Sequence, residues 1–235
     1  MNSKNSQIRA HARYLLDDNI FGKDWLKGAL VHILIDVVTV LFSVALFSLT
    51  SMVIVPALLA EAWVSQSTIL VNAIPAVLYF IDLIISCIIV GPVGVGTATV
   101  YIDLVRGEGR VKIGNFFYGF RNLVSNFLLG AMYILQVALW SLFFVIPGIY
   151  VAYSYALVFH VKRDNPNYNW KQCFDESERL MNGRRLKLFT LQISHIGWFI
   201  VGVAFVFIGT FWAEPYLHTS TAIFYEEAKA SRGSK

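Results

Sequence analysis

Long uncharged stretches alternate with short basic segments along this chain. Arg121 and Lys162 enclose 40 consecutive residues without Asp, Glu, Lys or Arg. One helical crossing of a bilayer takes roughly 20 apolar residues. The stretch therefore predicts two membrane-spanning helices joined at Ile146-Pro147-Gly148. Comparable uncharged stretches cover residues 37–60, 62–81, 83–102 and 188–213.

The basic segments predict how the helices are oriented. Short loops rich in Lys and Arg stay on the cytoplasmic side of a membrane. Each apolar stretch between two basic segments should therefore leave the cytoplasm and return to it, which places Glu61 and Glu214 in outward turns. This pattern predicts an all-α, polytopic helical membrane protein with about six transmembrane helices in three hairpins, multi-pass in the cell membrane, with both termini cytoplasmic. All 19 Lys and Arg residues lie in four segments, 4–27, 106–121, 162–187 and 229–235.

Each predicted hairpin begins with an amphipathic stretch and contains a proline in its returning helix. The amphipathic stretches, which we expect to form helices along the inner interface, are residues 8–26, 111–121 and 169–186. The prolines, which we interpret as helix-breaking positions, are Pro92, Pro147 and Pro215. The arrangement predicts a single integral membrane domain over residues 1–235 with repeat units 8–106, 111–162 and 169–229. Alternatively, the prolines reflect only the tolerance of membrane helices for proline.

The fourth and sixth helices are short for a full crossing. Only 15 residues separate Pro147 from Lys162, and 14 separate Pro215 from Lys229. A helix of that length rises roughly 21 to 22 Å, less than the roughly 30 Å of hydrocarbon in a bilayer. These helices must therefore include residues before the proline, thin the bilayer, or stop partway.

Composition supports a membrane location. The chain is 57% hydrophobic and 14% charged, whereas soluble domains are usually about 45–50% apolar and about 25% charged. The formal net charge of +4 indicates attraction to the bilayer and its anionic lipid head groups, and no feature suggests nucleic-acid binding. We expect Arg184, Arg185 and Lys187 to contact those head groups.

Polar residues within the apolar stretches are the candidates for function, because ionisable groups there are costly and persist mainly when paired or functional. His32 and Asp36 share one helix face, since they are four residues apart. Gln192 and His195 lie at matching depths in another helix. We therefore predict a polar cavity, open to the cytoplasm, lined by His32, Asp36, Gln192 and His195. Alternatively, His32 and Asp36 form only a buried packing pair.

No catalytic residue, metal site or cofactor is predicted. His32, His160 and His195 belong to separate helices and lack a local ligand spacing such as His-x-x-x-His. The sequence also lacks a recognisable nucleophile or carboxylate pair.

Four strings of the sequence are familiar from one family. They are LVRGEGRVKIGNFFYGF (104–120), LWSLFFVIPGIYVAYSYAL (139–157), RDNPNYNWKQCFDESERLMNGRRLKLFTLQISHIGWF (163–199) and EPYLHTSTAIFYEE (214–227). They resemble the bacterial integral membrane family called domain of unknown function 975. This resemblance implies a multi-spanning protein of Gram-positive bacteria, distantly similar to the membrane domains of glycerophosphodiester phosphodiesterases. It implies no established reaction.

Three functions remain open. We expect a non-enzymatic membrane module that handles, or protects against, a lipid or an amphipathic peptide, as an export accessory or an immunity factor would. Its partners would then include such a peptide or an exporter. The alternatives are a small transporter or channel-like protein with a cytoplasm-facing polar cavity, and an intramembrane lipid-modifying enzyme.

Overall fold

The computed structural model describes residues 4–17, 22–37, 44, 48, 51–52, 89–107, 111–197 and 210–233. In these residues all regular secondary structure is helical, which confirms the all-α prediction for this part of the chain. The predicted outward turn at Glu61 lies outside the described residues.

Ten helices are numbered here in chain order. They are α1 (Asn5–Leu15), α2 (residues 23–37), α3 (Ile89–Val105), α4 (Ile113–Phe116), α5 (Leu123–Phe143), α6 (Val145–Ser154), α7 (Val158–Asp164), α8 (Trp170–Met181), α9 (Arg185–Ile193) and α10 (Thr210–Gly233). A 3-10 helix, Phe117–Phe120, continues α4. Each predicted amphipathic stretch therefore contains helix: α1 and the start of α2, then α4 with its 3-10 helix, then α8.

Two helical segments of the described chain are long and apolar enough to cross a membrane. They are Leu123–Phe143, with a mean hydropathy of 1.7, and Val145–Asp164, with a mean hydropathy of 1.2. The first matches the third predicted crossing closely. Only 17% of its most apolar window is buried within the protein, so most of its apolar surface faces outward. The six-crossing topology stays a prediction.

Two of the three prolines lie in the first turn of a helix, and the third lies inside a helix. Pro147 lies in the first turn of α6, where a missing N–H costs nothing, and Phe144 just before α6 is extended (φ −159°, ψ 146°) and separates it from α5. Pro92 also lies in the first turn of its described helix, α3. Pro215 lies inside α10, which continues to Gly233. The helix-break interpretation thus fits the local structure at Pro147, whereas at Pro215 the helix does not end.

A buried serine bridges the interruption between α6 and α7. Residues 155–157 form a turn that leaves backbone groups without helical partners. Ser177 of α8 accepts a hydrogen bond from the Leu157 N–H at 3.2 Å and donates one to the Ser154 carbonyl at 3.0 Å. Its hydroxyl therefore satisfies both sides of the break and fixes α8 against this turn.

Glycines allow α3 to lie against its neighbours at backbone distance. A Cβ atom on Gly91 would collide with the Asn126 carbonyl of α5, and one on Gly130 of α5 would collide with the Gly91 backbone. A Cβ on Gly96 would likewise collide with the Phe116 carbonyl of α4. Small residues at such crossings are typical of helices that pack closely in a membrane.

The core lies where α3 and α10 meet the amphipathic helices. The largest fully buried side chains include Tyr101 of α3 together with Tyr216 and Phe224 of α10. Ile8 and Ala12 of α1 are both buried, and their spacing of four residues places them on one helix face. α1 packs with that face inward, against α10 and α9.

Candidate functional site

Among the described contacts, none joins His32 or Asp36 to Gln192 or His195, the other two residues of the predicted polar cavity. His195 is buried and already satisfied, because its Nδ1 lies 2.7 Å from the Leu191 carbonyl and its Nε2 lies 3.2 Å from Ser220 Oγ. Gln192 accepts a hydrogen bond of 2.7 Å from the Tyr153 hydroxyl. Gln192 thus connects α9 to α6, and His195, in the turn after α9, contacts α10.

His32 contacts Tyr101 and His218 in the structure. It is buried, and its Nε2 lies 3.0 Å from the Tyr101 hydroxyl of α3. Its ring stacks on that of His218 of α10, with 4.9 Å between centroids. Asp36 is exposed, and no hydrogen bond joins it to His32 among the described contacts. Asp36 does interact electrostatically with Glu214.

His32, Tyr101, Glu214 and His218 form a cluster, called the histidine cluster below. His218 Nε2 lies 3.4 Å from Glu214 Oε2. The Tyr101 ring stacks against His218 at 5.5 Å. His32, Glu214 and His218 each offer one ligand atom, and these three atoms lie within 4.8 Å of one another. The set can hold a metal ion or share a proton.

Glu214 and His218 are the residues that sequence reasoning missed. The alternation of basic segments predicted an outward turn at Glu214, but Glu214 lies within α10. The Glu-x-x-x-His spacing then places both side chains on one helix face. That spacing was the available signal, and the interpretation of Pro215 as a helix break concealed it.

A network of ion pairs lies elsewhere, at the ends of α3, α7 and α10. This charge network consists of Asp103, Arg106, Arg163, Asp164, Glu226 and Lys229. Asp164 accepts hydrogen bonds from Arg106 at 2.7 Å, Lys229 at 2.5 Å and Arg163 at 2.9 Å. Three cations thus meet three carboxylates, and the network is neutral in sum.

The partners of Arg106 keep its guanidinium charged. Burial alone would lower the pKa of Arg106, but hydrogen bonds to Asp164 and Glu226 outweigh burial and raise the pKa above its ordinary value. The Tyr225 hydroxyl adds a further hydrogen bond of 3.0 Å to Asp164. The charge network is therefore a fully paired structural element.

Contacts bring all four basic segments of the sequence together. The Arg106–Asp164–Lys229 contacts join the second, third and fourth segments. Asp24 of the first segment accepts a hydrogen bond of 3.1 Å from the Val111 N–H of the second. We call this region the charged end of the protein.

An open cavity of about 540 Å³, called the Arg121 pocket below, lies at the charged end between α3, α4 and α7. Within the described part of the chain, Arg121 has no carboxylate partner, and its guanidinium lies 5.9 Å from the Tyr118 ring centre. A smaller cavity of about 230 Å³ shares Tyr118 and Arg121 and reaches Lys162. The lining of the Arg121 pocket is Thr99, Asp103, Gly114, Asn115, Phe117, Tyr118, Arg121 and Arg163.

The three residues predicted to contact head groups already have partners within the protein. Arg184 donates a hydrogen bond of 2.9 Å to the Ala228 carbonyl. Arg185 donates one of 2.8 Å to Ser154 Oγ and lies over the Tyr150 ring at 4.4 Å. Lys187 pairs with Glu227 at 3.2 Å. Their head-group role stays a prediction, and Arg121 is the more available cation.

The comparison with known families concerns the carboxy-terminal part of the chain. Residues 131–232 match a family model described as Protein of unknown function (DUF975). The match supports the family that the four strings resemble. It includes Glu214, His218 and most of the charge network, whereas His32, Tyr101 and Arg121 lie outside the DUF975 match. Comparisons with curated proteins and with solved structures give no match.

Proposed function

We propose that this chain is a non-enzymatic, multi-pass membrane protein that holds the head group of an anionic phospholipid in the Arg121 pocket. The pocket would lie at the cytoplasmic boundary of the cell membrane. The observation that carries the proposal is the position of Arg121, a guanidinium without a carboxylate partner among the described residues, at the rim of a cavity beside an apolar surface.

Two features support the membrane location. α5 exposes large apolar side chains, such as Val124 at 79% and Leu142 at 82%, and such a surface is stable when lipid covers it. The basic segments meet at one end, as they would if all faced the cytoplasm. The six-crossing, three-hairpin topology with cytoplasmic termini is part of this proposal.

The charges of the pocket suit a phosphodiester. Arg163 is paired with Asp103 and Asp164, so within the described part of the pocket Arg121 supplies the positive charge that no carboxylate balances. A guanidinium binds phosphate oxygens through two parallel hydrogen bonds. Lys162 adds a second positive charge nearby, since its ammonium is held by three uncharged oxygens, those of Ser125, Pro166 and Tyr168.

The surroundings of the pocket suit a ligand with acyl chains. Phe117 lines the pocket and is exposed, as are Ile113 and Phe120 nearby. Leu123 and Val124 continue this apolar surface onto the first turn of α5. A phospholipid could place its head group at Arg121 and its chains along these side chains, which a free anion could not.

The test is lipid binding by the full-length protein in detergent micelles, followed by native mass spectrometry. We expect phosphatidylglycerol to bind more tightly than phosphatidylcholine, and Arg121→Ala to weaken phosphatidylglycerol binding about tenfold, the effect of one lost charge-assisted hydrogen-bond pair. Arg179→Ala is the matched control, because Arg179 is exposed and paired with Glu176 on α8. Equal binding by the two variants would contradict the proposal.

Two competition experiments distinguish phosphatidylglycerol from other anionic ligands that the Arg121 pocket could bind. Inorganic phosphate that displaced the lipid at equal concentration would assign the pocket to free anions. An acidic amphipathic peptide that bound more tightly than phosphatidylglycerol would favour the peptide-handling form of the function. Binding of phosphatidylglycerol in preference to both supports the lipid.

The second candidate function is a small transporter, and the histidine cluster is the observation that favours it. Titratable side chains of α2, α3 and α10 meet there in a largely apolar bundle, as coupling sites of transporters do. Proteoliposomes would test it by solute flux that disappears in His32→Ala. The position of the cluster gives no indication of a path through the protein, so lipid binding is the better supported function.

A further inference from the structure

Three side chains of the histidine cluster are of types that commonly bind metal ions, and they come from two helices. His32 belongs to α2, and Glu214 and His218 belong to α10. We infer that these three residues form a binding site for one divalent transition-metal ion of the zinc class. This inference concerns a separate part of the molecule and does not depend on lipid binding.

The distances are close to those of a bound zinc ion. Ligand atoms around tetrahedral zinc lie about 3.4 Å apart, given metal–ligand bonds of about 2.0 to 2.1 Å. The 3.4 Å between His218 Nε2 and Glu214 Oε2 already has this value. All three ligand atoms lie within 4.8 Å of one another, so small side-chain rotations would close the remaining gaps.

The ligand types select among metals. Two imidazoles and one carboxylate suit zinc and neighbouring first-row ions, whereas magnesium and calcium require mostly oxygen ligands. The set contains no sulfur, which disfavours copper(I). Three protein ligands leave one position open for water or a further ligand.

A further carboxylate adds negative potential near this site. Asp36 interacts electrostatically with Glu214, and negative potential favours a bound cation.

Access to the site does not require unfolding. The side chains of Glu214 and His218 are each about one-third exposed, at 33% and 34%, while His32 is buried beneath them. The exposed pair can therefore bind an incoming ion first, and His32 then completes the site.

The experiment is titration calorimetry of the full-length protein, without a polyhistidine tag, with zinc chloride in detergent micelles. We expect one zinc ion per chain, and at least tenfold weaker binding by His32→Ala, Glu214→Gln and His218→Ala. His11→Ala is the matched control, because His11 is exposed on α1 and its loss should leave the affinity unchanged. Cobalt(II) should give visible absorption bands of a tetrahedral site in the parent protein, and these bands should disappear in His218→Ala.

A second readout distinguishes loss of a ligand from loss of the fold. Zinc should raise the melting temperature of the parent protein and of His11→Ala, because it connects α2 to α10. Glu214→Gln retains the shape of the side chain, so the melting temperature of this variant should equal that of the metal-free parent and should not rise when zinc is added. Absence of zinc binding by the parent, or unchanged affinity in the three cluster variants, would overturn the inference.

Discussion

The charge network and the histidine cluster are both built across α3 and α10, yet their polar groups are matched differently. In the charge network three cations meet three carboxylates, and Asp164 alone has four hydrogen-bond donors. In the histidine cluster one carboxylate and three aromatic rings share few hydrogen bonds. The comparison shows which ionisable residues hold the fold and which remain able to bind a ligand.

Burial explains why the two regions differ in this way. The Asp164 side chain is 5% exposed, and a buried carboxylate is tolerated only when charges and hydrogen bonds compensate it. A neutral histidine ring carries no net charge, so its burial costs less than the burial of a carboxylate. A cluster of histidines can therefore stay incompletely paired until an ion or proton arrives.

The largest effect should come from removing the centre of the charge network. Asp164→Ala leaves Arg106, Arg163 and Lys229 with too few carboxylates. Loss of one partner from a buried ion pair costs about 3 to 5 kcal/mol, and partial exposure of Arg106 reduces this to about 3 kcal/mol. The free energy of unfolding in mixed micelles would measure it.

An exposed ion pair provides the control for that variant. Arg179 and Glu176 form a pair on α8 whose arginine is 60% exposed. Glu176→Ala should change the free energy of unfolding by less than about 0.5 kcal/mol. Equal effects of Asp164→Ala and Glu176→Ala would show that the charge network does not hold the fold.

A bulky residue at the contact of α3 and α5 should weaken both regions together, because α3 carries Tyr101 of the cluster and Asp103 of the network. Gly91→Leu forces a side chain against the Asn126 backbone. Overpacking of this kind costs about 1 to 3 kcal/mol. Gly114→Ala, at a position with no atom within 4 Å of an added Cβ, should leave the melting temperature nearly unchanged.

Removing a ring from the histidine cluster should cost much less without metal. His218→Ala loses two stacked contacts, with His32 and Tyr101, and such aromatic pairs contribute about 0.5 to 1.5 kcal/mol each. The side chain is partly exposed, so we expect a loss of about 1 kcal/mol in the free energy of unfolding in the presence of chelator. A loss as large as that of Asp164→Ala would mean that the cluster is structural.

The smallest effect should be seen at Cys173, which reports on the charged end. This thiol is fully buried on α8, and burial raises its pKa to about 11, so little reactive thiolate is present at pH 8. In a Cys87→Ser background, a maleimide should label Cys173 very slowly. The labelling rate should rise when Asp164→Ala is added and should stay the same when His218→Ala is added. Mass spectrometry of the intact protein would follow the reaction, and rapid labelling of the parent would contradict the buried position.

The sequence predicted the helical class and the amphipathic helices because both depend on local periodicity. The uncharged stretch that begins after Arg121 predicted a long apolar helix where α5 lies, since uncharged length is a local property as well. The candidate site is formed by packing between helices, and sequence periodicity carries no information about which helices pack together. His32 was found as a buried polar residue, but its partners come from α3 and α10, which only the fold brings close.

Two residues show why the remaining site residues were missed. Glu214 was assigned to a turn because it is the acid midway between two basic segments and Pro215 was interpreted as a helix break, yet a membrane helix can contain proline, and α10 continues through Pro215. Arg121 marked only the end of an apolar stretch in the sequence. Its importance arises because the nearby Arg163 is paired, whereas Arg121 has no carboxylate partner among the residues that the structure describes.

Photo-crosslinking with a phosphatidylglycerol analogue, reactive at its head group, tests the lipid-binding account most directly in the native bilayer. The account predicts that crosslinks concentrate on residues 111–121, decline with excess unlabelled phosphatidylglycerol and are lost in Arg121→Ala. Crosslinks spread evenly along the exposed surface of α5, and equally abundant in Arg121→Ala, would contradict it.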